Sequence, residues 1–99
     1  MNTSSALIQI VNNALITVAS TSGLSWNIKR RLIRDMERAI RAEAFADSTP
    51  DEFAVWCQQA LADLLEDEDI RLPCRLALAA WFAEEVLNWL TGDFDNAAD

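Results

Sequence analysis

The most apolar stretch of the chain is PCRLALAAWFAEEVLNWLT, Pro73 to Thr91. On a helix that turns about 100° per residue, it forms one apolar stripe made of Leu76, Ala79, Ala80, Ala83, Val86, Leu87 and Leu90. Leu78, Phe82 and Trp89 widen the apolar arc to more than half of the circumference. A helix this apolar must be covered from more than one side, so we predict that it packs among other helices.

The rest of the chain predicts three more helices, and therefore an all-α, single-domain bundle of four main helices. We place the four at about residues 4–20, 25–45, 50–66 and 73–91. The clearest local signal is at the start of the third, where Thr49 can cap the helix, Pro50 suits its first turn and Glu52 completes a capping box. The short connections favour antiparallel neighbours.

Length and composition set the domain organisation. The chain has 99 residues with only two glycines and two prolines, which favours a few long helices within one domain. We assign residues 1–92 to the helical bundle. Residues 93–99 form an acidic tail that we expect to fray.

The charge is large and unevenly divided. Sixteen acidic and eight basic residues give a net charge of −8, which disfavours direct binding to nucleic acid or to an anionic membrane. Residues 1–43 hold six bases and three acids, a net of +3, while residues 44–99 hold two bases and thirteen acids, a net of −11. We therefore expect a bipolar surface that steers the protein toward a basic partner.

The cysteines and the apolar stretches indicate the compartment. Cys57 and Cys74 are a single pair without CxxC spacing, and no export signal is recognisable. The most apolar stretch carries Arg75, Glu84 and Glu85, so no membrane span is expected. These features predict a reduced, cytoplasmic setting.

The residue types needed for most catalytic sites are missing. Histidine is absent, which excludes Ser-His-Asp and Cys-His arrangements, and two cysteines alone leave zinc short of ligands. Gly23 and Gly92 are too far apart for a phosphate-binding loop. We therefore predict a non-enzymatic protein with no catalytic residue, no metal and no cofactor.

One candidate contact surface is basic. Four arginines lie within about 80° of one another on helix two, opposite its apolar face: Arg30, Arg34, Arg38 and Arg41. They can form a solvated face, with Glu37 pairing with Arg34 or Arg41. Alternatively, they can meet an acidic partner or a phosphate backbone, because guanidinium groups bind both bidentately.

The second candidate contact set is acidic and aromatic. It comprises Glu66, Asp67, Glu68 and Asp69, together with Trp81 and Glu85. The acidic run belongs to the connection before helix four, where carboxylates favour the positive end of a helix. Trp81 lies off the main stripe and either fills the core or anchors an interface. The other three tryptophans, Trp26, Trp56 and Trp89, are expected in the core.

Recognition is the function that these features favour. We expect a small acidic helical binding protein that regulates or inhibits a protein partner, such as a basic nucleic-acid-binding protein or complex. In composition the chain resembles small acidic helical proteins of bacteriophages and mobile elements, including anti-CRISPR and antirestriction inhibitors, and colicin immunity proteins. This resemblance implies inhibition, with partial DNA mimicry as one form of it, and assigns no residue a role.

Two alternatives use the same features differently. The first is a self-associating assembly protein, a homodimer that buries helices one and four. The second is a nucleic-acid-binding regulator that uses the arginine face of helix two.

Overall fold

The computed structural model describes residues 4–45 and 47–92 and contains four helices. They are α1 (Ser4–Thr21), α2 (Trp26–Ala42), α3 (Pro50–Leu65) and α4 (Leu72–Thr91). The predicted all-α bundle of four helices is confirmed. The predicted acidic tail, residues 93–99, lies outside the described residues.

The helices close into a ring of neighbours. α1 packs against α2 and α4, and α3 packs against α2 and α4. The contact between α3 and α4 is the most extensive, while the contact between α2 and α3 is the smallest. α4 therefore has neighbours on two sides, α1 and α3, and its remaining surface faces outward.

One side of each helix supplies the core. Among the described residues, every buried side chain is apolar. The largest fully buried side chains are Phe53, Phe82, Leu7, Leu15, Leu32, Met36, Ile40, Leu61, Leu65, Val11, Val18 and Val86. Helices α1 to α3 supply ten of these twelve side chains, and α4 supplies Phe82 and Val86.

The start of α3 has the predicted capping box. The Glu52 N–H donates to Thr49 Oγ1 at 3.2 Å, and the Thr49 N–H donates to Glu52 Oε1 at 2.9 Å. Pro50 occupies the first turn, where its missing N–H would have no partner within the helix. All the groups that set this helix start lie within four residues of one another, so local sequence was enough to predict it.

Helix α2 is slightly shorter than the predicted helix of about residues 25–45. α2 ends at Ala42, and Glu43 has an extended backbone with φ −107° and ψ 163°. The extended backbone lets Phe45 turn inward, where its ring meets Phe53 edge-on at 4.8 Å and Trp56 at 4.9 Å. Burying the Phe45 ring stabilises the fold more than one further turn of helix would.

The buried arc of α4 is rotated from the predicted stripe. Ala79, Phe82, Ala83 and Val86 are buried, whereas Leu76 is 53% exposed. Ala80, which we also placed in the covered stripe, is exposed as well. The apolar arc is wider than the surface that α1 and α3 cover. Which of its residues are buried therefore depends on where these two helices pack. The helix also begins at Leu72, one residue earlier than predicted.

Two of the three tryptophans predicted in the core are exposed. Trp26 is 61% exposed and Trp89 is 40% exposed, so the prediction was wrong for both. Trp26 is the first residue of α2, where the Lys29 Nζ lies 4.6 Å from its ring centroid. Trp56 confirms the prediction, because it packs against the core and stacks on Phe53 at 5.9 Å.

Candidate docking surface

Part of the predicted acidic contact set is engaged within the molecule by Arg31. The Arg31 Nη1 lies 3.5 Å from Asp67 Oδ2, and its Nε lies 3.0 Å from Glu68 Oε1. The Nε contact is an ion pair without the alignment of a hydrogen bond. The Glu68 side chain is only 19% exposed, so this carboxylate is held against the bundle. Glu68 therefore helps to position the connection between α3 and α4, whereas the Asp67 side chain is 75% exposed and water screens its ion pair.

The other two acids of the run remain open to solvent. Glu66 and Asp69 are exposed, and neither forms an ion pair with another described residue. Glu66 borders a groove between α3 and α4, whereas Asp69 borders a separate hollow at the α4 start. The structure thus divides the four consecutive acids among three environments.

The predicted basic ridge is present on the outer side of α2. Arg30, Arg34, Arg38 and Arg41 are all exposed. Arg34 Nε lies 3.4 Å from Asp35 Oδ1, and Arg41 Nε lies 3.7 Å from Glu37 Oε2. These two arginine side chains are 66% and 59% exposed, so water screens both pairs strongly. The ridge therefore presents positive charge to solvent.

Trp81 and Glu85 lie together on α4. The Trp81 Nε1–H donates to Glu85 Oε1 at 3.3 Å, one helical turn away. The indole is half-buried and packs against the core. Trp81 was predicted either to fill the core or to anchor an interface. The inner part of its ring packs on the core, and only the outer part is available to a partner.

Three exposed apolar side chains of α3 and α4 line one groove between these helices. Val55 is 66% exposed, Leu72 is 55% exposed and Leu76 is 53% exposed. All three line the same hollow of about 260 Å³, which adjoins a second hollow of about 270 Å³. Val55 and Gln58 line both hollows. We call this continuous surface the α3/α4 groove.

Carboxylates stand at both ends of the α3/α4 groove. Asp63 and Glu66 line the hollow near the start of α4, and Asp51 and Glu84 line the other hollow. Asp63 accepts a hydrogen bond from Gln59 Nε2 at 3.0 Å. Carboxylates toward both ends of a surface with exposed apolar side chains give the groove the arrangement of a protein interface, in which polar groups border apolar ones.

Arg75 lies inside the groove and lacks a partner for one donor. Its Nε is buried and donates no hydrogen bond to a described residue. A buried donor left unpaired is unfavourable, and a carbonyl or carboxylate oxygen placed in the groove can accept from it. Sequence reasoning missed this residue and Val55. The one feature of the sequence that pointed to exposed apolar surface here is the apolar arc of α4, which is wider than the surface that two neighbouring helices cover.

The described residues contain two free thiols and no cluster of metal-binding side chains. Cys57 and Cys74 are both free, and burial raises the pKa of the Cys57 thiol, which keeps it protonated. Within residues 4–45 and 47–92, no three cysteine, aspartate or glutamate side chains are grouped to hold a metal ion. None of the helices described has the length and apolar character needed to cross a membrane.

Comparison of the chain with protein-family models, with curated proteins and with solved structures gave no match. The α3/α4 groove and the basic ridge of α2 are therefore interpreted from their own chemistry.

Proposed function

We propose that this protein is a non-enzymatic binding protein that attaches to a protein partner and regulates or inhibits it. The observation that carries the proposal is the α3/α4 groove, where Val55, Leu72 and Leu76 are each more than half exposed. Isolated exposed apolar residues are ordinary, but a group of them bordered by polar residues is typical of an interaction site.

The character of the groove favours protein binding over nucleic-acid mimicry. A mimic of a phosphate array needs carboxylates that are free and closely spaced. Here Asp67 and Glu68 pair with Arg31, and the four carboxylates that line the groove are divided between its two hollows, beside exposed apolar side chains. Apolar burial therefore supplies the main stabilisation of the complex, and the acids orient the partner.

Inhibition is the simplest form of regulation for such a protein, because a small domain that occupies a partner's surface can block it without chemistry. The compositional resemblance to phage and mobile-element proteins, anti-CRISPR inhibitors among them, supports the same proposal. A cytoplasmic partner accords with the two free thiols.

The test is capture of a stoichiometric partner by matched surface variants. Leu76→Gln changes the groove, and Ile16→Gln makes a comparable change at a side chain that is 40% exposed on α1, outside the groove. We expect the wild type and Ile16→Gln to retain one partner after nuclease treatment, and Leu76→Gln to lose it. Equal retention by all three proteins would contradict the proposal.

The exposed arginine ridge of α2 favours a second candidate function, the nucleic-acid-binding regulator. Arg30 and Arg38 form no ion pair with any described residue, which leaves both available to phosphate oxygens. The net charge of −8 opposes it. Arg34→Glu combined with Arg38→Glu tests this candidate, since unchanged affinity for nucleic acid would exclude it.

A further inference from the structure

We propose that the occupant of the α3/α4 groove is one amphipathic helix of the partner, with lysine or arginine residues at both ends of its apolar face. This inference rests on the proposed function, since it names the kind of partner segment that the same groove takes. Its basis is the spacing of the apolar residues and the placement of the charges.

The apolar residues of α4 that line the groove repeat at helical spacing. They are Leu72, Leu76, Ala79, Ala83 and Leu87, which are three or four residues apart. From Leu72 to Leu87 the helix rises about 22 Å, at about 1.5 Å per residue, which is the length of four turns of a second helix. The facing wall is another helix, α3, which contributes Val55 and Ala62.

A helix fits this groove better than an extended segment does. An extended peptide usually binds by adding a strand to the free edge of a sheet, and the described residues contain no strand. A groove between two packed helices takes apolar side chains at i, i+3, i+4 and i+7 from a third helix.

The charges of the groove determine the charges of the occupant. Four carboxylates and one guanidinium line it, a net of −3, with Asp63 and Glu66 toward one end and Asp51 and Glu84 toward the other. Basic residues near both ends of the incoming helix would complement these carboxylates. Basic residues are also long enough to keep their charged groups at the polar margin while their methylenes cover apolar surface.

A second copy of this chain is a poor occupant. A symmetric dimer through the groove would bring the carboxylates of one copy against those of the other, which is repulsive in either orientation. The basic ridge of α2 has the opposite charge, but its outer face consists of the arginines themselves, with the polar residues Asn27 and Glu37 beside them. That face offers no apolar side chain to cover Val55, Leu72 and Leu76.

Calorimetric titration with synthetic helical peptides tests the inference. The probe is an 18-residue peptide of leucine, alanine and lysine, with leucine at i, i+4, i+7 and i+11 and lysine at both ends. Its matched control carries glutamate in place of lysine. We expect the lysine peptide to bind one to one and at least tenfold more tightly than the glutamate peptide.

Protein variants show where the peptide binds. Leu76→Gln should weaken binding of the lysine peptide at least tenfold, and Ile16→Gln should leave it unchanged. Glu84→Lys should also weaken it, whereas Glu43→Lys, an exposed position outside the groove, makes the same charge change as a control. Circular dichroism confirms that each variant is folded.

Each contrary outcome separates this inference from the proposed function. If the glutamate peptide bound more tightly and its binding still depended on Leu76, the inference of a basic occupant would be overturned. The groove would remain a docking site. No binding of the lysine peptide, or equal weakening by Leu76→Gln and Ile16→Gln, would overturn the inference. The proposed function itself fails only if the captured partner is also indifferent to Leu76→Gln.

Discussion

Arg31 Nη2 donates a 2.8 Å hydrogen bond to the carbonyl oxygen of Leu64, 33 residues further along the chain. This carbonyl belongs to the last turn of α3, where helix carbonyls lack partners within the helix. The same guanidinium pairs with Asp67 and Glu68 in the following connection. One side chain of α2 therefore fixes the end of α3 and the path of the chain into α4, where α2 and α3 have few other contacts.

Replacing Arg31 tests this role. We expect Arg31→Ala to lower the free energy of unfolding by about 1–3 kcal/mol, because its charged hydrogen bond and ion pairs are only partly screened at 26% exposure. Arg34→Ala is the control, since its 66% exposed side chain pairs only with the adjacent Asp35, and its effect should stay within about 0.5 kcal/mol. Urea unfolding measures both values. Equal losses would refute the special role of Arg31.

The orientation of α4 predicts that truncating a buried side chain and truncating an exposed one on this helix have very different effects on stability. Phe82→Ala should destabilise the protein by about 3–5 kcal/mol, because it opens a cavity at a fully buried position. Leu76→Ala should have an effect of about 0.5 kcal/mol, since Leu76 is 53% exposed. Thermal or urea unfolding distinguishes the two. A large loss of stability in Leu76→Ala would mean that the stripe predicted for helix four, which includes Leu76, faces the core.

Trp81 and Trp26 provide a comparable pair. Trp81→Ala should lower the free energy of unfolding by about 1–3 kcal/mol, because the ring packs partly on the core and bonds to Glu85. Trp26→Ala should lower it by about 0.5–1 kcal/mol, from the loss of an exposed contact with Lys29. Similar losses for the two variants, measured in urea, would indicate that Trp81 lies outside the core.

The capping box of α3 predicts a pH-dependent contribution from Glu52. The pKa of Glu52 is lowered from its ordinary value of 4.5, first by the backbone N–H of Thr49 and then by the Thr49 side chain. Because the folded pKa is the lower one, this stabilisation is fully present above pH 4.5 and is lost as the pH falls through the folded pKa.

The measurement compares the wild type with Glu52→Gln in urea, at neutral pH and at roughly pH 3. We expect the wild type to be the more stable at neutral pH and the difference to shrink in acid. Glu84→Gln on α4 is a control for the loss of one negative charge. A difference for Glu52→Gln that is the same at both pH values would contradict the assignment.

Local signals in the sequence predicted those parts of the structure that local interactions determine. The capping box of Thr49 and Glu52 is complete within four residues, so the start of α3 was predicted correctly. The end of α2 depends on the ring of Phe45 meeting Phe53 and Trp56, and no signal near residue 45 indicates that contact. Arg31 resembles its neighbouring arginines in the sequence until the fold brings Leu64 and Glu68 to it.

The candidate site was predictable in character but not in position. The sequence predicted an apolar arc of more than half the circumference on helix four, and α1 and α3 leave part of this arc exposed in the α3/α4 groove. Which residues stay exposed depends on how α4 is rotated between α1 and α3, and the sequence of α4 alone does not show this rotation. The prediction therefore put Leu76 in the covered stripe, although its side chain is exposed. Val55 gave no signal because the stripe of α3 runs on its other side.

Photo-crosslinking in cells that make the protein tests whether the α3/α4 groove binds a partner helix. A benzophenone amino acid is placed at position 76, inside the groove, and in a second sample at position 16 on α1. We expect one crosslinked partner from position 76 and none from position 16, with the link in an apolar helix that carries lysine or arginine at its ends. Crosslinks from both positions, or a link only to a second copy of this chain, would contradict this expectation.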